Sequence, residues 1–304
     1  MDQKVHLIWS LYHGKSLFEV LCDSLKEEGE KYGVVIPWYI MTSKENNDDT
    51  IAFFQNHQYF AYPKEDIFFF IQGELPMIDI NGKILLDTNG MPKLAADGHG
   101  GVFESLLKNN AIADMKKRGI EWIFIAGVDN PLVKMVDPIF IGVAEENKHL
   151  GGSKTIVKSN PKEKVGAFCK KDGRPYVIEY TELPDELAAA KDENGEYLYG
   201  EGHMLFNMFN IKVIEDLGKN KLPYHPAFKK AEYLDESGKT VTPEGPNAYK
   251  FEAFIFDVFP MLDEVTLLRV KREEEFAPIK SLTGEDSAES AKVLYENYMK
   301  NKKK

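Results

Sequence analysis

The stretch that most constrains the fold is Ala95-Ala96-Asp97-Gly98-His99-Gly100-Gly101-Val102-Phe103-Glu104. Its clustered glycines let the backbone turn sharply and approach a neighbour with no Cβ in the way. Directly afterwards Val102, Leu106, Leu107 and Ile112 recur at helical spacing, so a helix is expected over 102–117, stopped by Gly119. The unpaired N–H groups and dipole of a helix start suit an anionic or carbonyl-bearing ligand. A tight strand-to-helix connection that holds no ligand is an equal reading of the loop alone.

The flanking pattern is that of an α/β chain. Leu17, Phe18, Leu21, Cys22 and Leu25 form a helical stripe that Gly33 ends. A strand follows over 34–41, with Pro37 pointing to an edge or bulge, then a short helix over 48–57. Ile67–Ile71 is an unbroken apolar run of the kind found in parallel, doubly covered strands, and Trp122–Ala126 reads as the next strand. This order predicts a mainly parallel central sheet, whose ligands collect at the carboxyl ends of the strands. Gln72, the glycine loop and Asp129 all fall at that edge. A short strand is also read over 5–9. From residue 151 a mixed or antiparallel extension is expected: strands over 155–157, 165–169, 176–180, 204–211, 253–259 and 265–270, with a hairpin turn at 171–174. Helices are read over 182–190 and 287–298.

The 304-residue chain carries a formal charge of −11, which disfavours broad nucleic-acid or anionic-membrane surfaces. Cys22 and Cys169, its only cysteines, fit a reducing compartment and cannot build a disulfide framework or a cysteine zinc site. No apolar run approaches the length of a membrane span, and no secretory signal pattern is present at the start, so a cytoplasmic protein is expected.

Several residues have the chemistry of a phosphate-transfer site. Asp129 ends a buried strand beside Asn130 and Pro131, where a carboxylate can hold Mg²⁺ or cap the turn. The Gln72 amide can both donate to and accept from a base edge. Lys280, fixed behind Pro278, can neutralise charge developing on phosphate oxygens, although most lysines are surface residues. Glu179, His203, Phe254 and Phe256 suit a sugar, by hydroxyl pairing and an aromatic wall; strand aromatics are also ordinary core. His99 and His203 lack a ligand-spaced third partner and make a poor metal site.

Taken in order, these segments resemble the eukaryotic-type UDP-sugar pyrophosphorylases, above all the UDP-N-acetylglucosamine pyrophosphorylases. The resemblance rests on Ile36-Pro37-Trp38-Tyr39-Ile40-Met41-Thr42-Ser43, Phe70-Ile71-Gln72-Gly73-Glu74-Leu75-Pro76, Asp97-Gly98-His99-Gly100-Gly101 and Val128-Asp129-Asn130. It continues through Val133-Lys134-Met135-Val136-Asp137-Pro138, Asn160-Pro161, Lys164-Val165-Gly166, Val177-Ile178-Glu179-Tyr180 and Phe254-Ile255-Phe256-Asp257 to Arg272-Glu273-Glu274-Glu275-Phe276-Ala277-Pro278-Ile279-Lys280. It implies a nucleotide-diphospho-sugar transferase fold of the GT-A or Rossmann-like kind, and transfer of uridylate from UTP to a sugar 1-phosphate.

By the same resemblance Gln72 and Gly98 would sit at uracil, and Asp129 would bind Mg²⁺ (or Mn²⁺). His99, Gly166, Glu179, His203, Phe254 and Phe256 would sit at the sugar, with Lys280 near the phosphates. Residues 1–270 would form the nucleotidyltransferase domain and 271–304 a C-terminal segment carrying Lys280 and a helix.

Two departures stand out. The family's Gly-Gly-x-Gly-Thr-Arg-Leu-Gly phosphate loop has no counterpart in residues 1–16, so an N-terminally truncated chain is expected, without the first strand and that loop. Histidines 99 and 203 also occupy positions where the family usually has asparagine, which leaves N-acetylglucosamine 1-phosphate and glucose 1-phosphate both open. The alternatives are a UDP-sugar-binding relative without turnover and, ranked last for want of an Asp-x-Asp motif, a GT-A-like glycosyltransferase. Oligomeric state is not legible.

Overall fold

The computed structural model describes residues 14–302. The strand expected over 5–9 and nearly all of the segment expected to lack a phosphate loop lie outside them. Helix Leu17–Tyr32 opens on Ser16, whose hydroxyl accepts from the Glu19 N–H at 3.2 Å, and closes on Gly33 at φ +67°. Phe18, Leu21, Cys22 and Leu25 turn inward, as the stripe requires. Strand Trp38–Thr42 pairs in parallel with Ile67–Ile71, Trp38 opposite Ile67. The first strand starts later than its apolar run, because Val34 and Val35 are exposed ahead of Pro37. Of the Ile67–Ile71 run only Phe70 is fully buried, so that strand is less completely covered than its composition suggests.

A six-stranded sheet carries the rest, and it is mixed rather than mainly parallel. Strands Trp122–Ala126 and Gly151–Val157 run the same way, joined by helix Pro138–Asn147 as a strand–helix–strand unit should be. The ten-residue strand Glu201–Asn210, however, enters between them and pairs antiparallel with both. Gly166–Lys171 and Arg174–Ile178 form a hairpin through the expected turn at 171–174. In this sheet only Thr266–Arg269 on Gly151–Val157 is a parallel pair. Compositional reading cannot see that a distant strand will divide a parallel unit.

Two other expectations fail locally. The helix over 102–117 is two helices, Val102–Lys108 and Ala111–Lys117, because Asn110 adopts φ +59° between them. Asparagine tolerates that conformation, and the Asn109 amide caps Ser105 O at 2.8 Å. The strand over 253–259 is instead Ala248–Glu252 followed by the 3₁₀ turn Ile255–Met261. Ile255, Phe256, Val258 and Phe259 are all buried, a helical rather than an alternating set, and Asp257 Oδ2 fixes the turn by accepting from the Phe254 N–H at 3.0 Å.

An excursion from the sheet is built of short strands: Glu74–Pro76 on Leu94–Ala96, and Ile78–Asp79 on Ala248–Glu252 on His225–Lys229. Its hairpins turn on Asp79, Asp87 and Asp235, each accepting two or more backbone N–H groups. No helix among the described residues is long and apolar enough to cross a membrane.

Candidate active site

The sheet forks at the middle of strand Glu201–Asn210. On one side His203 lies opposite Gly166, whereas three residues on Phe206 lies opposite Ala126. The register on the other neighbour slips between His203 and Asn207, and Leu205 sits at φ +55°, a strained value for a side chain of that size. Strain of this kind persists where the surroundings enforce it, and here it lies at the mouth of a cavity. Gly127 lets the Asp129 and Leu205 side chains lie close beside it: a Cβ there would come 2.6 Å from Asp129 Oδ1 and 2.9 Å from Leu205 Cδ2.

The cavity, about 180 Å³, gathers His99, Asp129, Gly166, Glu179, His203, Phe256 and Lys280 from seven separate segments. Asn130, Lys164, Leu205 and Pro278 also line it, none of them singled out from sequence for a site role. Lys164 sits in a matching segment and had a charge to notice. Leu205 carries no sequence signal at all, since its contribution is a backbone conformation.

Two histidines and the rings of Phe256 and Phe276 form part of the wall, beside the ionisable Asp129, Lys164, Glu179 and Lys280. His99 Nδ1 accepts from the Ile255 N–H at 3.0 Å, which places its proton on Nε2. Its ring stacks on Phe254 at 5.3 Å, and His225 also stacks on Phe254, at 4.5 Å. Burial, with a smaller effect of His225, pushes His99 down to about 4. Burial does the same to His203, also to about 4, against a 3.0 Å hydrogen bond to Asn207 Oδ1 that favours protonation. Both rings are therefore neutral at pH 7. Glu179 is pushed up by burial and then by Glu182, while Lys280 and His225 act against the rise.

Gln72, Gly98 and Phe254 lie outside the cavity lining but beside the same loop. Gln72 Nε2 is 3.5 Å from Asp97 Oδ1, Gly98 adjoins His99, and Phe254 stacks on it. The glycines turn out to serve the chain's own packing. Gly98 has φ +90°, and a Cβ there would lie 2.5 Å from Ala253 O; one on Gly100 would lie 2.7 Å from Phe254 backbone. The N–H groups of Gly100 and Gly101 are taken by Ala253 O and Gly98 O, so the expected donors at the helix start are spent within the protein. Gly98→Ala is accordingly expected to cost about 2 kcal/mol or more, from backbone strain and collision together, read as a fall in the denaturation midpoint.

Among the described residues no group of three or more His, Cys, Asp or Glu side chains could cage a metal. Asp129 nevertheless fits the manner in which Mg²⁺ is commonly held in phosphate chemistry, by one or two carboxylates with substrate oxygens completing the shell. Its neighbour across the cavity, Glu179, is a second hard oxygen donor.

With this geometry in hand, comparison with known proteins is informative. Residues 7–295 match the UTP-glucose-1-phosphate uridylyltransferase family. A probable UDP-N-acetylglucosamine pyrophosphorylase of Dictyostelium discoideum is 39% identical over 255 residues, covering 82% of this chain and 52% of the relative. The UDP-N-acetylglucosamine pyrophosphorylase of Saccharomyces cerevisiae is 37% identical over 294 residues, 92% of this chain and 61% of that protein. The chain thus spans little more than half the length of these curated relatives. A crystal structure of a putative UDP-N-acetylglucosamine pyrophosphorylase from Entamoeba histolytica superposes with a TM-score of 0.85 at 36% identity, covering 93% of this chain and 73% of the other. The cavity at the fork of the sheet is thus a feature of a chain that belongs to the UTP-glucose-1-phosphate uridylyltransferase family, with UDP-N-acetylglucosamine pyrophosphorylases among its relatives.

Proposed function

We propose that this chain transfers uridylate from UTP to a sugar 1-phosphate, giving a UDP-sugar of the UDP-N-acetylglucosamine or UDP-glucose type and pyrophosphate. The observation that carries the reading is the meeting of Asp129, Lys280, Glu179 and two neutral histidines in one cavity at the fork of the sheet. A phosphate oxygen of the sugar 1-phosphate attacks the α-phosphorus of UTP in line. The new P–O bond forms as the bond to the bridging oxygen breaks, and pyrophosphate leaves with that electron pair. Such a step needs charge stabilisation and alignment more than an acid or base. Lys280 supplies a cation for the phosphate oxygens, and Asp129 is the residue to hold Mg²⁺, which supplies further neutralisation of the diphosphate when bound.

Glu179 can accept from sugar hydroxyls, and Gly166 keeps the space in front of it: a Cβ at that position would lie 3.4 Å from Glu179 Oε2. His99, protonated on Nε2, donates without carrying charge, so it can serve a hydroxyl or an acetamido oxygen equally. Phe254 and Phe256 give the sugar ring an apolar wall, while Gln72 and Gly98 are assigned to the uracil end. The nucleotide-diphospho-sugar transferase fold goes with this reading, the 201–210 strand being its antiparallel intruder. Binding of a UDP-sugar without turnover is the second reading, since Glu179, the two histidines and Phe256 would serve sugar binding whether or not transfer follows.

UDP-N-acetylglucosamine at about a hundred times its Kd, with Mg²⁺, should raise the melting temperature by about 5 °C. A pyrophosphate-release assay with N-acetylglucosamine 1-phosphate and glucose 1-phosphate then separates the readings. Release above background supports transfer, a thermal shift without release supports binding alone, and neither at millimolar ligand defeats both.

A further inference from the structure

The two residues assigned to the phosphates come from segments about 150 positions apart, and something must hold them in register. Asn130, only 4% exposed, does so physically. Its Nδ2 donates to Glu275 O at 2.7 Å and its Oδ1 accepts from the Ala277 N–H at 3.0 Å, so one side-chain amide replaces a strand neighbour for the 275–277 backbone. Two residues further on, the Ile279 N–H donates to Asp129 O at 2.9 Å. The peptide before Lys280 is thereby tied to the peptide of Asp129 itself.

The far end of this clamp is anchored in the sheet. Glu275, 3% exposed, accepts from Lys154 Nζ at 2.6 Å, and Lys154 is wholly buried on strand Gly151–Val157. Lys154 also meets Asp137 at 2.7 Å, and Lys134 approaches the other oxygen of Glu275 at 3.3 Å. Lys154 and Glu275 are thus buried with opposite charges in contact, and Asp137, Lys134 and Glu274 extend the network outward, which makes the burial tolerable. The network spans the Asp129 loop, the sheet and the Lys280 segment.

We infer that Asn130, backed by the Lys154–Glu275 pair, is a positioning residue that sets Lys280 against Asp129 for phosphoryl chemistry. The inference rests on the transfer reading above. A misplacement of the order of 1 Å at a reacting group can cost about 10²-fold in rate, so a side chain whose amide is spent on the 275–277 backbone can still govern kcat.

The test is a double-mutant cycle on the full chain, followed by pyrophosphate release. Asn130→Ala should lower kcat about 10²-fold and move KM by less than about threefold. In a Lys280→Ala background the same substitution should cost less than about threefold, because the group it positions is gone. Glu275→Gln, which keeps the carbonyl that Asn130 binds and loosens the anchor behind it, provides a gentler second variant should Asn130→Ala fold poorly. It should lower kcat about tenfold, again only when Lys280 is present.

Equal costs of Asn130→Ala with and without Lys280, or lost stability with unchanged kcat, would overturn the inference alone. If Lys280→Ala matches the unsubstituted chain, Lys280 has no part in the step and the clamp's role falls with it; if that chain releases no pyrophosphate, the transfer reading itself falls.

Discussion

Lys280→Ala is expected to lower kcat for UDP-sugar formation by about 10²- to 10³-fold while leaving the KM values within about threefold, measured by steady-state pyrophosphate release. The expectation follows from where Lys280 sits. It is an exposed residue at the cavity mouth, its Nζ donating to Lys164 O at 3.2 Å and lying 5.9 Å from the Phe276 ring. Its charge reaches across the cavity, opposing the rise of Glu179 and adding to the depression of His203. Under the proposed transfer, a cation that lines the same cavity as Asp129 would act on charge that grows as the bond to pyrophosphate breaks, and less on a bound sugar. Ground-state binding would then be left to Glu179, the histidines and the aromatic wall. Lys280→Arg should recover part of the rate, since it restores charge without the point geometry of an ammonium. A loss appearing wholly in KM would mean that Lys280 binds substrate and transition state alike.

Much of this arrangement was legible before any coordinates, and the rest was hidden for physical reasons. The helix Leu17–Tyr32, the strands at Ile67–Ile71 and Trp122–Ala126 and the turn at 171–174 follow from local periodicity and glycine placement, which act within a few residues. The mixed sheet did not follow, because the position of Glu201–Asn210 between two parallel strands is settled by contacts some fifty to eighty residues apart in sequence. The cavity residues found from sequence were those whose chemistry is conspicuous: a carboxylate after a strand, a lysine after a proline, a histidine among glycines. Asn130 was named only as a neighbour of Asp129, since an amide that mimics a strand shows nothing of this in one dimension. The glycine loop is the instructive case. Its composition left a ligand at the backbone and a tight connection equally open; Ala253 crowds Gly98, Phe254 crowds Gly100, and it is His99, accepting from the Ile255 N–H, that reaches the cavity.

That histidine and its partner His203 lead to the second large effect, on stability against pH. His203 is 6% exposed and titrates near 4 in the folded protein, against an ordinary value of 6.5. Between those values the unfolded chain binds a proton that the folded chain refuses, so stability falls as pH drops from about 6.5 towards 4 and is complete above that window. At pH 4 the shift amounts to about 3 kcal/mol for His203 alone. Asp97, Glu179 and Asp257 are pushed up by burial and work in the opposite sense, gaining stability as they protonate. A bare pH profile would therefore mix the two, and the comparison with His203→Asn removes the ambiguity. Asparagine keeps a donor and an acceptor but never titrates, so denaturant unfolding should show the parent losing about 3 kcal/mol more than the variant between pH 7 and pH 4. The same neutrality lets a histidine offer a hydrogen bond in this cavity without adding charge near Lys280. A difference that stays flat across the window would show that His203 protonates as readily folded as unfolded, and the cavity would then have to be treated as a charged one.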